Sequence, residues 1–155
     1  MKTQDNQSPG KKKILIVEDE ERIAKFLSNR LKASGYDVGW VAQGDEALRI
    51  ARLTKPDLIL LDAMLPHVNG YVICRLLKFD KRFKHIPIIM LTARSATEDI
   101  QRGREAHANV YITKPFKDDV LLKVIKDQLT KNSGNIPKSE WPASPVWIDG
   151  MKALG

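Results

Sequence analysis

The chain has 155 residues, 43% of them hydrophobic and 29% charged, a balance that excludes disorder along its whole length. The length fits one domain with a modest appendage, and a lone cysteine, Cys74, excludes an internal disulfide and favours a reducing compartment such as the cytoplasm. No apolar run approaches the roughly 18 residues of a membrane helix, and much of the net charge of +7 comes from four lysines within residues 1–13, so we expect neither membrane nor nucleic-acid binding.

Apolar and amphipathic stretches alternate along most of the chain. Residues 1–12 lack apolar periodicity and are interpreted as a disordered leader. The short apolar runs that predict strands are residues 14–17, 38–42, 58–61, 86–91 and 110–112. The amphipathic stretches that predict helices are residues 20–34, 45–53, 71–79, 97–106 and 117–129. Five strand–helix units in succession predict an α/β fold with a doubly wound, five-stranded parallel sheet.

Polar side chains follow four of the five predicted strands. Glu18 and Asp19 follow the first strand, Asp62 the third, Thr92 the fourth and Lys114 the fifth. In a sheet of order 2-1-3-4-5, strands one and three are neighbours, so the three carboxylates converge where open α/β sheets bind ligands. Clustered carboxylates repel one another unless a hard cation such as Mg²⁺ lies among them. With a hydroxyl and a lysine beside them, they form a set suited to accepting a phosphoryl group.

Each of these residues also has a purely structural interpretation. Asp19 could cap the first helix, and Asp62 could be a turn residue. Thr92 could begin a helix, and Lys114 could be a solvated lysine before a proline. Taken singly, only Asp62 favours a functional role, whereas complementary groups at four strand ends together favour one site.

At these residues the sequence resembles the receiver domain of bacterial two-component response regulators. The matching segments are ILIVEDE (14–20), PDLILLDAMLPHVNG (56–70), IPIIMLTA (86–93) and VYITKPF (110–116). The separations of 30 residues from Asp62 to Thr92 and 52 residues from Asp62 to Lys114 also fit. The resemblance implies a flavodoxin-like receiver fold over residues 13–130, with strand order 2-1-3-4-5.

The resemblance also implies a role for each matching polar residue. Asp62 would be the phosphoacceptor, and Lys114 and Thr92 would contact its phosphoryl group and complete the catalytic set. The Mg²⁺ ion would be held by Glu18, Asp19, Asp62 and the backbone carbonyl of Met64.

Two further pairs are implied by the same resemblance. Thr92 and Tyr111 would form the conformational switch, whereas Met64 and Arg94 would tune the lifetime of the phosphoryl group. A bulky Met64 should impede the attacking water, so we expect slow autodephosphorylation. His107 stands where the family has glycine, and it would be strained if the backbone there is left-handed.

The resemblance implies a sensor histidine kinase or phosphotransfer protein as phosphodonor and a protein as downstream target. The charged stretches 97–106 and 117–129 could support a phosphorylation-dependent homodimer or could simply be solvated. Near the third helix, Phe79 and Phe83 are expected to pack on the core while the neighbouring lysines face solvent, so nucleic acid is not expected to bind this chain alone.

Residues 131–155 contain three prolines and two tryptophans and no recognisable output domain. Three interpretations remain open for this tail: a disordered end, a linker, or a strap that docks Trp141 and Trp147 on the domain.

Two other functional classes are compatible with the same fold. A phosphatase of the haloacid dehalogenase type would need a second acid two residues after Asp62, where this chain has Met64. A degenerate receiver that only binds partners would lack Asp62, Thr92 or Lys114, all of which are present. We therefore expect no enzyme acting on external substrates, only self-phosphotransfer and autodephosphorylation.

Overall fold

The computed structural model describes residues 10–93, 105–131 and 146–151. Its strands are β1 (Lys13–Val17), β2 (Asp37–Val41), β3 (Leu58–Asp62), β4 (Ile88–Thr92), β5 (Val110–Thr113) and β6 (Val146–Ile148). They form one sheet in the order β2-β1-β3-β4-β5-β6, and all five pairings are parallel. The expected order 2-1-3-4-5 is confirmed, and β6 adds a strand that the apolar runs did not predict.

Four helices are described: α1 (Glu21–Ala33), α2 (Gly44–Thr54), α3 (Gly70–Lys78) and α4 (Asp118–Lys131). Of the helix predicted at 97–106, only Glu105 and Ala106 lie among the described residues, and both are helical. The leader at 1–9 falls outside the described residues. Among the described helices, none is long and apolar enough to cross a membrane.

The helices cover both faces of the sheet and create two apolar cores. One core contains buried side chains of α2 and α3, such as Ala47 and Leu77. The other contains buried side chains of α1 and α4, such as Leu31 and Ile125. Because both faces are covered, β3 and β4 are buried along their full length, which explains why the sequence shows continuous apolar runs there rather than alternation.

The surface of α3 differs from its expected packing. Phe83 is buried as predicted, but Phe79 is 57% exposed, so the expectation that both phenylalanines pack on the core was wrong for Phe79. Lys78 was expected to face solvent, yet its side chain is buried and its Nζ donates to the carbonyls of Lys84 and Ile86 at 3.2 and 2.8 Å. The hydrocarbon part of the Lys78 side chain is thus buried, and its amine supplies hydrogen bonds to two backbone carbonyls of the segment that follows α3.

Candidate functional site

Three carboxylates meet where β1 and β3 end side by side. Val17 pairs with Leu61 across the two strands, so the residues that follow them lie at the same edge of the sheet. One carboxylate oxygen from each of Glu18, Asp19 and Asp62 lies within 4.8 Å of the others. Glu18 and Asp62 are only 2% and 4% exposed, whereas Asp19 faces solvent. The sequence prediction that these acids converge is therefore consistent with the described geometry.

The environment of Glu18 penalises its negative charge. Burial, followed by the nearby charge of Asp62, raises the pKa of the Glu18 carboxyl from 4.5 to about 8. One of its oxygens accepts from the Glu20 amide at 3.2 Å, but Oε1 is buried without a hydrogen-bond partner among the described residues. A buried carboxyl oxygen without a partner, in a cluster of oxygen ligands, suits a hard divalent cation. Such a cation would compensate the negative charges of Glu18 and Asp62.

Trp40 is a neighbour of this cluster that the sequence did not reveal. Its indole Nε1 donates to the backbone carbonyl of Glu18 at 2.7 Å, and its residue pairs with Ile16 across β1 and β2. This contact fixes the backbone that presents Glu18. Its only signal in the sequence is a tryptophan on the strand that adjoins β1, which is too general to identify the contact.

The Asp62 side chain has two polar contacts on the same oxygen. Lys114 Nζ lies 3.0 Å from Oδ1, and the Met64 amide donates to Oδ1 at 2.9 Å. The Lys114 amide also donates to the Thr92 carbonyl at 2.7 Å, and the Lys114–Pro115 bond is cis. The end of β5 is thus attached to the end of β4, and the lysine reaches the carboxylate from there.

Gly70 allows α3 to begin in close contact with the backbone of Asp62. A Cβ at position 70 would overlap the Asp62 carbonyl oxygen and lie 2.9 Å from Ala63 Cα. Only glycine therefore fits this close approach without a shift of the backbone.

Thr92 ends β4 next to the same carboxylate. The register pairs Asp62 with Leu91 and Thr92 with Thr113, so Thr92 lies at the end of β4, between the ends of β3 and β5. The side chain is 1% exposed, and its Oγ1 is buried with no hydrogen-bond partner in the described part of the chain. A buried hydroxyl without a partner costs about 1–3 kcal/mol, so this atom is ready to accept a new partner.

Tyr111 is buried on β5, behind this site. Its hydroxyl accepts from the Ala108 amide at 3.1 Å, and burial raises the pKa of its phenol. The ring stacks on Trp147 of β6, with centroids 4.5 Å apart and planes inclined by 16°. Of the three interpretations of the tail, the docked strap agrees with the described position of Trp147, while Trp141 lies outside the described residues.

The remaining predicted positions flank the site. The Met64 side chain is 66% exposed, and Arg94 lies outside the described residues. His107 has φ of 62°, so its backbone is left-handed, which is the condition under which strain was expected there.

Comparison with known proteins identifies the family. A family model described as the response regulator receiver domain matches residues 14–126. The DNA-binding response regulator MtrA of Mycolicibacterium paratuberculosis is 39% identical over 122 residues, which are 79% of this chain and 53% of that protein. The alkaline phosphatase synthesis transcriptional regulatory protein PhoP of Bacillus subtilis is 43% identical over 129 residues, or 83% of this chain and 53% of that protein.

Solved structures give the same result. The signal receiver domain of a signal transduction histidine kinase from Syntrophus aciditrophicus superposes with a TM-score of 0.77 at 40% identity, covering 81% of this chain and 95% of that one. The chemotaxis response regulator CheY4 of Vibrio cholerae superposes with a TM-score of 0.71 at 31% identity, covering 76% of this chain and 98% of that one.

The chain spans about half the length of the curated relatives it matches. Receiver domains bind Mg²⁺ through acidic residues and interact with sensor kinases, which phosphorylate them. The match over residues 14–126 and the similarity to several receivers place this chain in the family of response regulator receiver domains, the phosphoacceptor switches of two-component signal transduction.

Proposed function

We propose that this chain accepts a phosphoryl group on Asp62 from a phosphohistidine of a sensor kinase or phosphotransfer protein in the cytoplasm. The observation that carries the proposal is the position of Asp62. Its buried carboxylate lies 3.0 Å from the Lys114 amine and within 4.8 Å of two further acids, at the edge of the sheet where ligands bind.

The transfer step uses a carboxylate oxygen of Asp62 as nucleophile. That oxygen forms a bond to phosphorus while the bond from phosphorus to the donor's imidazole nitrogen breaks, so the phosphoryl group moves and the imidazole leaves. The Lys114 amine, now on Oδ1, then binds the oxygens of the phosphoryl group as a point charge. Positioning and charge neutralisation supply most of the catalysis in such transfers.

The acids support a magnesium site built from Glu18, Asp19, Asp62 and the backbone carbonyl of Met64. When bound, Mg²⁺ would neutralise charge on the carboxylates and on the incoming phosphoryl oxygens. The buried Oε1 of Glu18 supports this assignment, because it has no hydrogen-bond partner within the part of the chain that the structure describes and a carboxylate oxygen needs a cation or a donor there.

Thr92 and Tyr111 would convert the charge of the phosphoryl group on Asp62 into a conformational change. Thr92 Oγ1, which has no hydrogen-bond partner among the described residues, would donate to a phosphoryl oxygen, and Tyr111 would follow the movement of the strand ends. The response is a population shift between two states that differ in how well they bind the phosphoryl group.

Met64 and Arg94 would set how fast water removes the group. Met64 supports slow autodephosphorylation, because its backbone amide binds Asp62 Oδ1 and its side chain carries no acid that could activate water. We therefore propose a switch that transfers and slowly loses its own phosphoryl group and turns over no external phosphate ester.

The downstream partner is proposed to be a protein, with a phosphorylation-dependent homodimer as one form of output. MtrA is named as DNA-binding and PhoP as a transcriptional regulator, but only about half of each is matched here. We assign nucleic acid no role in the matched residues.

The test is mass spectrometry of the intact chain after incubation with acetyl phosphate and Mg²⁺. We expect one added phosphoryl group on the wild type, none on Asp62→Ala, and unchanged labelling of the matched control Asp45→Ala, an exposed acid on α2. Chelation of the metal should stop labelling. Equal labelling of the wild type and Asp62→Ala would refute the assignment, and release of phosphate from added esters would instead favour a phosphatase.

A further inference from the structure

The sheet edge beyond β5 is covered by a short segment of the chain itself. Residues 146–151, here called the strap, contain β6 and the turn that follows it. Tyr111 pairs with Trp147 and Ile112 with Ile148 across the two parallel strands. Trp147 packs against the core on one face of the sheet and Ile148 against the core on the other. The strap therefore holds β5 from both faces.

The end of the strap attaches to the loop that carries Lys114. The Gly150 amide donates to Thr113 Oγ1 at 3.2 Å, and the Lys117 amide donates to the Gly150 carbonyl at 2.7 Å. Gly150 is buried, and a Cβ there would overlap the Thr113 carbonyl oxygen and lie 2.6 Å from Phe116 Cα. The strap thus contacts the chain on both sides of Lys114, whose amine reaches Asp62.

The other end of the strap limits where Tyr111 can be. The stacked Trp147 ring covers the phenol ring from the direction of the sheet edge, so Tyr111 cannot turn outward while the strap is docked. The docked strap and a buried Tyr111 therefore occur together.

Contacts that favour and oppose docking of the strap both exist, so its docking equilibrium can respond to a ligand that binds at Asp62. Its strand has three residues, and the buried Trp147 Nε1 has no hydrogen-bond partner among the described residues. A buried donor without a partner opposes docking, while the stacking and edge hydrogen bonds favour it. Opposing contributions of this kind leave an equilibrium that modest interactions can shift.

We propose that the strap is a positioning element of the phosphorylation site, and that its docking and the phosphoryl group on Asp62 stabilise each other. This inference rests on the proposed function, because the phosphoryl group must favour the arrangement in which Lys114 and Tyr111 are held inward. Coupling of this kind is reciprocal: the docked strap strengthens binding at Asp62 to the same extent that binding at Asp62 strengthens docking.

The first measurement is amide hydrogen exchange of the full chain by NMR, with and without beryllofluoride and Mg²⁺ as a phosphoryl mimic. The Lys117 amide reports docking directly, because the strap supplies its acceptor. We expect beryllofluoride to slow its exchange by about five-fold or more, the lower end of typical allosteric coupling. Unchanged or faster exchange would overturn the inference.

The second measurement is beryllofluoride affinity of strap variants. Gly150→Ala should weaken binding by the same factor, whereas Met151→Ser, an exposed change in the same segment, should bind as the wild type does. Trp147→Ser should weaken binding, and Trp147→Phe should restore much of it by stacking on Tyr111. If Gly150→Ala does not fold, the two Trp147 variants decide the outcome.

Failure of this inference differs from failure of the proposed function. Strap variants that bind beryllofluoride as tightly as the wild type overturn the coupling and leave Asp62 as the acceptor. If the wild type itself does not bind beryllofluoride, or binds no better than Asp62→Ala, the proposed function and this inference both fail.

Discussion

Replacing Glu18 with glutamine should change how the stability of the Mg²⁺-free protein depends on pH. In the folded chain, burial and then the charge of Asp62 raise the pKa of the Glu18 carboxyl from 4.5 to about 8. Between these two values the folded state keeps a proton that the unfolded state has lost. The free energy of unfolding therefore falls as pH rises through this window and levels off above it.

The size of this change in the free energy of unfolding follows from the size of the pKa shift of Glu18. At about 1.4 kcal/mol per pH unit, a displacement from 4.5 to about 8 corresponds to about 5 kcal/mol. Relaxation of the site and water entering the cluster reduce this, so we expect a loss of about 2–4 kcal/mol for the wild type. The glutamine of Glu18→Gln does not titrate, so at about pH 8 the free energy of unfolding of this variant should exceed that of the wild type by about the same amount.

The free energy of unfolding of the wild type and of Glu18→Gln is measured by urea unfolding followed by far-UV circular dichroism. The measurements are made with chelator present at about pH 5, 6.5 and 8. Glu21→Gln is the matched control, since its carboxylate is exposed and its ion pair with Lys25 lies at the surface. Added Mg²⁺ should stabilise the wild type more at the alkaline end than at the acid end. Parallel pH profiles for the wild type and Glu18→Gln would refute the electrostatic argument.

Three further changes test other contacts. Thr92→Val should raise the free energy of unfolding of the unphosphorylated chain by up to about 1 kcal/mol, because it removes a buried hydroxyl that has no partner in the described part of the chain. A lower free energy of unfolding in urea would show that this hydroxyl does have a partner. Gly70→Ala should destabilise the fold by about 1–3 kcal/mol because its Cβ meets the Asp62 backbone, and an unchanged denaturation midpoint would contradict this steric account. Met64→Asn should shorten the phosphoryl lifetime measured by decay of the phosphorylated mass, and an unchanged decay rate would count against a role for Met64 as a barrier to water.

The meeting of the three acids could be predicted from the sequence for a physical reason, once the resemblance to receiver domains supplied the order of the strands. A strand buried on both faces leaves a continuous apolar run, and its end is visible as the first polar residue, as at Glu18 and Asp62. Parallel neighbours place such ends at one edge, so the topology converts a pattern along the chain into proximity in space.

Helix faces were less predictable because the apolar stripe can be wider than the surface that covers it. Phe26, Val72, Leu76 and Phe79 all continue apolar stripes, yet each is at least half exposed. Lys78 shows the opposite error, since a long side chain can bury its stem when two backbone carbonyls receive its amine. Neither outcome has a signal in local spacing.

The strand β6 had only a weak local signal, a run of three residues whose types favour strands. It is only three residues long and follows a segment whose apolar periodicity has stopped, so nothing in its own sequence requires an extended backbone. Its conformation comes from the free edge of β5 and from the Tyr111 ring against which Trp147 stacks. Long-range pairing of this kind depends on the rest of the sheet being formed first.

The buried groups around Asp62 explain why one small ligand could act on the whole edge of the sheet. Without such a ligand, a Glu18 side-chain oxygen and the Thr92 hydroxyl have no hydrogen-bond partner among the described residues, while Lys114 and the Met64 amide contact Asp62. The four side chains involved lie at the ends of β1, β3, β4 and β5, and the Lys114 amide joins the end of β5 to the Thr92 carbonyl at the end of β4. A phosphoryl group would give new partners to the hydroxyl and the amine, and a divalent cation would satisfy the carboxylates. Because each satisfied group pulls on a different strand end, the free energy of binding would be expressed as a change in their relative positions.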